Sequence, residues 1–247
     1  MSCRRSAWRG AGGGYSVLGC VCAEREGVAV VTKEESVPGR HDFDTVSSST
    51  VYSGAILALR LDQVVMPGGA VVEREVIEHH AAVAVAAIDE NDELVLIDQY
   101  RHPIGRRLLE LPAGLLDIDG EDPWEAAKRE LAEETGLGAR EWSVLVDVAL
   151  SPGFTDEALR VYLARDLHEV RRPEPENEEA DIRVVRLPVS AAVRAALAGE
   201  IVNATAVAGV LALAAARADS ITPRSADAPW PGQPTAFLHR KSRRSED

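Results

Sequence analysis

Apolar side chains fall on alternate positions across residues 51–61 and again across 64–66, and Pro67-Gly68-Gly69 interrupts the pattern before it resumes at 70–77. A period of two puts successive side chains on opposite faces of a strand, and Pro-Gly-Gly reverses the chain, so a small antiparallel strand unit is predicted here. Residues 81–88 and 94–100 are apolar runs joined by Glu90-Asn91-Asp92, a turn of acidic and amide residues, and predict two core strands. Residues 108–111 predict a short strand, which Pro112-Ala113-Gly114 ends by removing an amide donor and then permitting an unusual backbone turn.

Farther along, Pro123 suits a first helical turn and Glu121 and Asp122 favour the positive end of the helix dipole, which predicts a helix to about Thr135 with Gly136 as its stop. Residues 142–150, 159–163 and 182–187 read as strands, 171–179 as a loop rich in Pro and Glu, and 189–198 and 204–218 as helices. Together these describe an α/β (α+β) fold, a mixed sheet sandwiched between helices with a small N-terminal antiparallel strand unit. The organisation expected is a disordered extension over residues 1–41, the strand unit over 42–78, the main domain over 79–218 and a disordered tail over 219–247. Glycines interrupt the only apolar piece of residues 1–25, which suits a disordered extension or a start site placed too early better than a signal peptide.

Composition narrows the function classes. The chain has 247 residues, 46% of them hydrophobic, enough for a sizeable core. A net charge of -13 leaves no basic face for duplex DNA or an anionic membrane, so neither nucleic acid nor membrane is expected as a partner. The three cysteines, Cys3, Cys20 and Cys22, all lie near the start, so no disulfide or structural zinc framework is expected and a cytoplasmic location fits. An acidic protein binds an anionic substrate most readily by recruiting metal cations.

Arg129-Glu130-Leu131-Ala132-Glu133-Glu134 supplies the acidic groups for that. At about 100° per residue Glu130 and Glu134 stack on one helix face, with Glu133 at its border. Two readings stand on these residues alone: a solvated face with Arg129 paired to Glu125 and Glu133, or an all-oxygen site for Mg²⁺ or Mn²⁺.

The wider arrangement resembles the Nudix box, GX5EX7REUXEEXGU with U a bulky aliphatic residue. Its matching residues are Gly114, Glu121, Arg129, Glu130, Leu131, Glu133, Glu134, Gly136 and Leu137, with one residue too many between Gly114 and Glu121. A loop absorbs such an insertion without disturbing the helical register. The resemblance implies Glu130 and Glu134 as metal ligands, Glu133 as an assisting group, Arg129 as an orienting residue bound to Glu121, and the Ala113 carbonyl as a further ligand.

Ser151-Pro152-Gly153-Phe154, with Pro152 about sixteen residues past Gly136, is similar to the marker of ADP-ribose pyrophosphatases within that superfamily, as are Gln99-Tyr100-Arg101 and Glu110-Leu111-Pro112-Ala113-Gly114. That likeness implies an enzyme splitting ADP-ribose into AMP and ribose 5-phosphate. Arg101, Glu110, Pro152, Gly153 and Phe154 would contact substrate, and Glu179, or its neighbour Glu178, would bind metal or act on the attacking water. It further implies a homodimer in which the N-terminal strand unit is exchanged. The alternatives are hydrolysis of another nucleoside diphosphate sugar or a dinucleotide, and a non-catalytic ADP-ribose sensor. Against the sensor stand the retained box glutamates and the absence of a basic recognition-helix pattern in either extension.

Overall fold

In the computed structural model, residues 41–174 and 180–244 are described. Residues 1–40, and with them nearly all of the expected N-terminal extension, lie outside the described residues, as do Glu178 and Glu179.

The first three strands, β1 (Thr45–Ser53), β2 (Leu57–Val65) and β3 (Val71–His79), form an antiparallel sheet in that order. The alternation across 51–61 is therefore two strands and not one, because the chain turns between Ser53 and Leu57. The turn through Pro67, Gly68 and Gly69 is as predicted, both glycines having positive φ.

A second, eight-stranded sheet is built from β4 (Ala82–Ile88), β5 (Glu93–Arg101), β6 (Arg106–Glu110), β7 (Ala113–Leu115), β8 (Leu137–Ala149), β9 (Ala158–Glu169), β10 (Arg183–Pro188) and β11 (Arg224–Ser225). Its main path runs β10-β5-β4-β9-β8-β11, with β6 beside β5 and β7 beside β4. Only β4 and β9 pair in parallel, Ala82 opposite Leu159, so the sheet is mixed. Every residue of β4 is buried because both of its faces are covered. Ala82, Ala84, Ala86 and Ile88 pack toward α2 (Val189–Leu197) and α3 (Ala204–Ala218), whereas Val83, Val85 and Ala87 pack toward α1 (Pro123–Thr135). The helix-sheet-helix sandwich follows from that strand, whose small and branched side chains let helices approach from either side.

Helix α1 has the predicted ends. Asp122 caps it by accepting a hydrogen bond from the Trp124 amide at 2.8 Å, Pro123 occupies the first turn, and Gly136 at φ 71° closes it.

Two expectations need correction. Strand β6 does end at Glu110, before Pro112, but Ala113-Gly114 makes no unusual turn: the Pro112 carbonyl accepts from the Val85 amide at 2.8 Å and β7 follows at once, with Gly114 opposite Val83. Pro lacks a donor but keeps its acceptor, and the acceptor is what β4 uses. The tail from residue 219 is also structured through residue 244. It contributes β11 and α4 (Ala236–Arg244), with Ala226 and Phe237 buried. Buried Arg160 holds it, donating to the Ala228 carbonyl at 2.6 Å and the Pro229 carbonyl at 3.0 Å while lying against the Trp230 ring. A few well-spaced anchors suffice for this, and a polar average composition hides them. No helix among the described residues is long and apolar enough to cross a membrane.

Candidate active site

The α1 carboxylates are organised by Arg129. Its guanidinium donates to both Glu121 oxygens at 2.9 Å, to Glu130 Oε1 at 2.6 Å and to Glu133 Oε2 at 3.0 Å. The bidentate fork to Glu121 is the leading cause that raises the Arg129 pKa further, so this cation is permanent. Arg129 does not pair with Glu125, which binds Lys128 at 2.7 Å instead. Of the pairs expected for a solvated face, Arg129–Glu133 is present and Arg129–Glu125 is not, because Glu121 reaches back from the loop before the helix and takes the guanidinium fork. The extra residue after Gly114 is absorbed in that loop.

Glu134 behaves differently. It is buried, and its Oε2 accepts from the Ala113 amide at 2.8 Å. Burial pushes its carboxyl up to about 8, and the nearby Glu130 and Glu110 act in the same direction, against the Ala113 hydrogen bond and Arg101. A carboxyl in this state favours a positive charge beside it over being ionised alone.

Gly114 sits under Glu130. A methyl group on its α-carbon would fall 2.0 Å from the Glu130 carboxylate carbon, so only glycine permits this approach. The preceding residue, Ala113, anchors Glu134, so two consecutive residues position both acidic groups.

Beside them opens a cleft of about 440 Å³ whose walls include Ala113, Gly114, Arg101 and Glu110. Glu110, buried, accepts both arms of Arg101, at 2.9 and 2.8 Å. Facing strands explain the pair, because Glu110 on β6 lies opposite Ile97 and Arg101 opposite Arg106, so both side chains emerge on one face. Glu110, expected to contact substrate, holds Arg101 in this structure.

Pro152, Gly153 and Phe154 are exposed and do not line this cleft. Their loop docks on β3 through its backbone, the Ile77 amide donating to the Phe154 carbonyl at 2.7 Å, and Leu150 and Glu157 at the loop ends face the cleft. Ile56, His79 and Glu157 are cleft residues that sequence reasoning missed. Glu157 closes the Pro152 loop, which was the available signal; Ile56 and His79 come from the strand unit and carried none.

Among the described residues no three His, Cys, Asp or Glu groups converge as a ready metal set, since Glu130 and Glu133 turn to Arg129 and Glu134 to Ala113. The donor chemistry nevertheless fits a hard divalent cation: the groups are all oxygen, and Glu134 is a buried carboxyl that a cation would ionise. Glu178 and Glu179 lie outside the described residues. On the described side of each boundary, Arg172 donates to the Glu133 carbonyl at 2.7 Å and Arg107 to the Asp181 carbonyl at 2.7 Å.

Comparison with known proteins agrees with this geometry. Residues 78–206 match the NUDIX domain, and residues 43–77 match the nucleoside diphosphate sugar hydrolase N-terminal domain. An ADP-ribose pyrophosphatase of Mycobacterium tuberculosis is 54% identical over 83% of this chain and 99% of its own length. A methanol dehydrogenase activator of Bacillus methanolicus is 35% identical over 61% of this chain and 80% of its own. In three dimensions, a crystal structure of an ADP compounds hydrolase superposes with a TM-score of 0.64 at 23% identity, covering 74% of this chain and 98% of that one, a likeness of fold alone. With the box glutamates gathered around Arg129 and the family model spanning more than half its length, the chain belongs to the Nudix family.

Proposed function

We propose that this chain hydrolyses the pyrophosphate bond of ADP-ribose, releasing AMP and ribose 5-phosphate. The observation that carries the reading is the convergence on one cleft of the Arg101–Glu110 pair with the Ala113-Gly114 start of β7, against which Glu134 and Glu130 lie. The relative from Mycobacterium tuberculosis, which is named for this activity, supports it.

Cleavage of P–O–P by water develops charge on the leaving phosphate oxygen, and that charge must be neutralised. Mg²⁺, or Mn²⁺ in its place, would supply that neutralisation and favour deprotonation of the attacking water. Glu130 and Glu134 would hold it with the Ala113 carbonyl, and Glu133 would assist. Arg129 keeps Glu130 and Glu133 oriented from behind. Arg101, fixed by Glu110, presents its remaining charge to a substrate phosphate. Glu179, or Glu178, orders the attacking water and takes its proton.

The working unit in this reading is a homodimer joined through the N-terminal sheet. Supporting it, Val46, Val51 and Tyr52 of β1 are each more than half exposed.

A substrate panel with Mg²⁺ tests the activity. ADP-ribose should give the highest kcat/KM, above ADP-glucose, NADH and diadenosine polyphosphates. If one of those three outranks it, the substrate assignment fails and family membership stands.

A further inference from the structure

Helix α4 lies beyond the residues matched by either family model, yet it reaches the wall of the cleft through a short series of contacts. Phe237 is fully buried and meets the His80 ring edge-on at 4.7 Å. One turn later, Arg240 Nε donates to Glu78 Oε2 at 2.7 Å and its Nη1 donates to Thr50 Oγ1 at 2.7 Å. Glu78 is buried, and its other oxygen accepts from Arg60 Nη1 at 2.6 Å. Burial alone would raise the Glu78 pKa, but hydrogen bonds from Arg240 and Arg60 outweigh it and hold the carboxylate below its ordinary range.

Glu78 stands in the middle of the three residues that seat the Pro152 loop. On one side, the Ile77 amide donates to the Phe154 carbonyl at 2.7 Å and the Ile77 carbonyl accepts from the Asp156 amide at 3.1 Å. On the other, the His79 amide donates to Asp156 Oδ1 at 2.9 Å. Alternation along β3 turns Glu78 toward α4 and His79 into the cleft, where Glu157 at the loop's end also lies.

We infer that Arg240 is a positioning residue for the cleft: by clamping Glu78 it fixes the β3 end that carries His79 and seats the 150–157 loop. The loop's attachment is two main-chain hydrogen bonds to Ile77 and one from the His79 amide to the Asp156 carboxylate, so its place depends on how firmly that strand end is held. Arg60 holds Glu78 from within the N-terminal sheet, whereas Arg240 comes from the other end of the chain and ties that sheet to the tail.

The functional arm of the test rests on ADP-ribose cleavage at this cleft; the structural arm does not. In the full chain, Arg240→Ala should speed amide hydrogen exchange across residues 150–157 by about tenfold without substrate, as expected when a held segment opens locally. With saturating Mg²⁺ the same variant should raise KM for ADP-ribose about tenfold while kcat stays within about threefold, because binding geometry is lost and the metal site is not. The Mg²⁺ concentration for half-maximal rate should not move. Arg240→Lys, which keeps a charge for Glu78, should recover part of both effects. In an Asp156→Ala background, where the loop is already released from His79, Arg240→Ala should add little.

Unchanged exchange in the loop overturns the inference whatever the substrate is. Unchanged KM with faster exchange overturns its link to the cleft, and a fall in kcat with a shifted Mg²⁺ dependence would show a general loss of structure instead. Should Arg240→Ala give no cooperative melting transition, Arg240→Gln, which keeps side-chain length without the charge, decides, and wild-type exchange and KM in that variant overturn the inference. Failure of wild type to cleave ADP-ribose, with faster loop exchange in the variant, sinks the substrate reading alone.

Discussion

The Gly114 α-carbon lies directly against the Glu130 carboxylate: a methyl group there would lie 2.0 Å from the carboxylate carbon and equally close to one of its oxygens. The Gly114 backbone does not have positive φ, so alanine is tolerated there conformationally and the cost falls on Glu130. Gly114→Ala should displace that carboxylate and its 2.6 Å contact with Arg129. Turnover should fall by about 10²-fold, the scale of losing one strong electrostatic stabiliser, with little change in melting temperature. Steady-state rates across a Mg²⁺ titration would check this, and wild-type rates would show that Glu130 acts from elsewhere.

Arg129→Lys gives a second expectation. A lysine keeps one charge but cannot fork onto Glu121 while reaching Glu130 and Glu133. Activity should drop by about 10- to 100-fold, as for loss of a group orienting metal ligands, and the Mg²⁺ requirement should rise. Retention of both would mean that the Arg129 fork is needed only for folding.

The site was legible in the sequence where spacing along one helix encodes it. The helical period put Arg129, Glu130, Glu133 and Glu134 close together on α1 but left a solvated face and a metal site both open, and Pro123 and Gly136 marked the helix ends. Long-range placement was not legible. The Glu110 side chain was expected to face substrate, and its partnership with Arg101 appears only once β5 and β6 are in register. Ile56 and His79 reach the cleft from a separate sheet, and Phe154 turns outward because its carbonyl is used by Ile77. The tail was misread for a related reason, since Phe237 and Ala226 are buried by partners far away in sequence.

Glu134 predicts how stability responds to pH in the metal-free protein. Its folded pKa of about 8 exceeds its ordinary 4.5, so the stabilisation from the protonated form is complete below about 4.5 and is lost as pH rises through about 8. Glu78, Asp89 and Asp147 are held low, so their contributions are already complete across that window. Metal-free Glu134→Gln should therefore lose less melting temperature than wild type between pH 5 and pH 8, which scanning calorimetry in chelator would reveal. Mg²⁺ should stabilise wild type more at pH 8.5 than at pH 6, because the cation displaces the proton. Parallel melting curves for the two proteins would contradict the buried, protonated state.

Arg101 and Glu110 can be separated by a double substitution. Arg101→Ala leaves a buried carboxylate without its fork and should destabilise the fold by about 3 kcal/mol, at the low end for a broken buried pair because Arg101 itself is partly exposed. Adding Glu110→Gln should return most of the melting temperature, since the charge is gone, while kcat/KM for ADP-ribose stays low. Recovery of activity along with stability would remove Arg101 from the substrate site.

Assembly is testable on β1. Light scattering should find wild type as a homodimer, and Val51→Asp, placed on an exposed apolar stretch, should shift it toward monomer with reduced activity. A wild-type monomer with full activity at the same concentration would refute a shared working unit.

The hydrogen bond between Arg240 and Thr50 joins positions 190 residues apart. Such a contact has a high loop-closure cost and forms after the local pairings of both sheets. On the ribosome, where earlier segments emerge first, the strand unit is made long before the residue that clasps it. The N-terminal sheet therefore passes through a period in which Glu78 is held by Arg60 alone, and its second clasp waits for the last turn of the fold to be made.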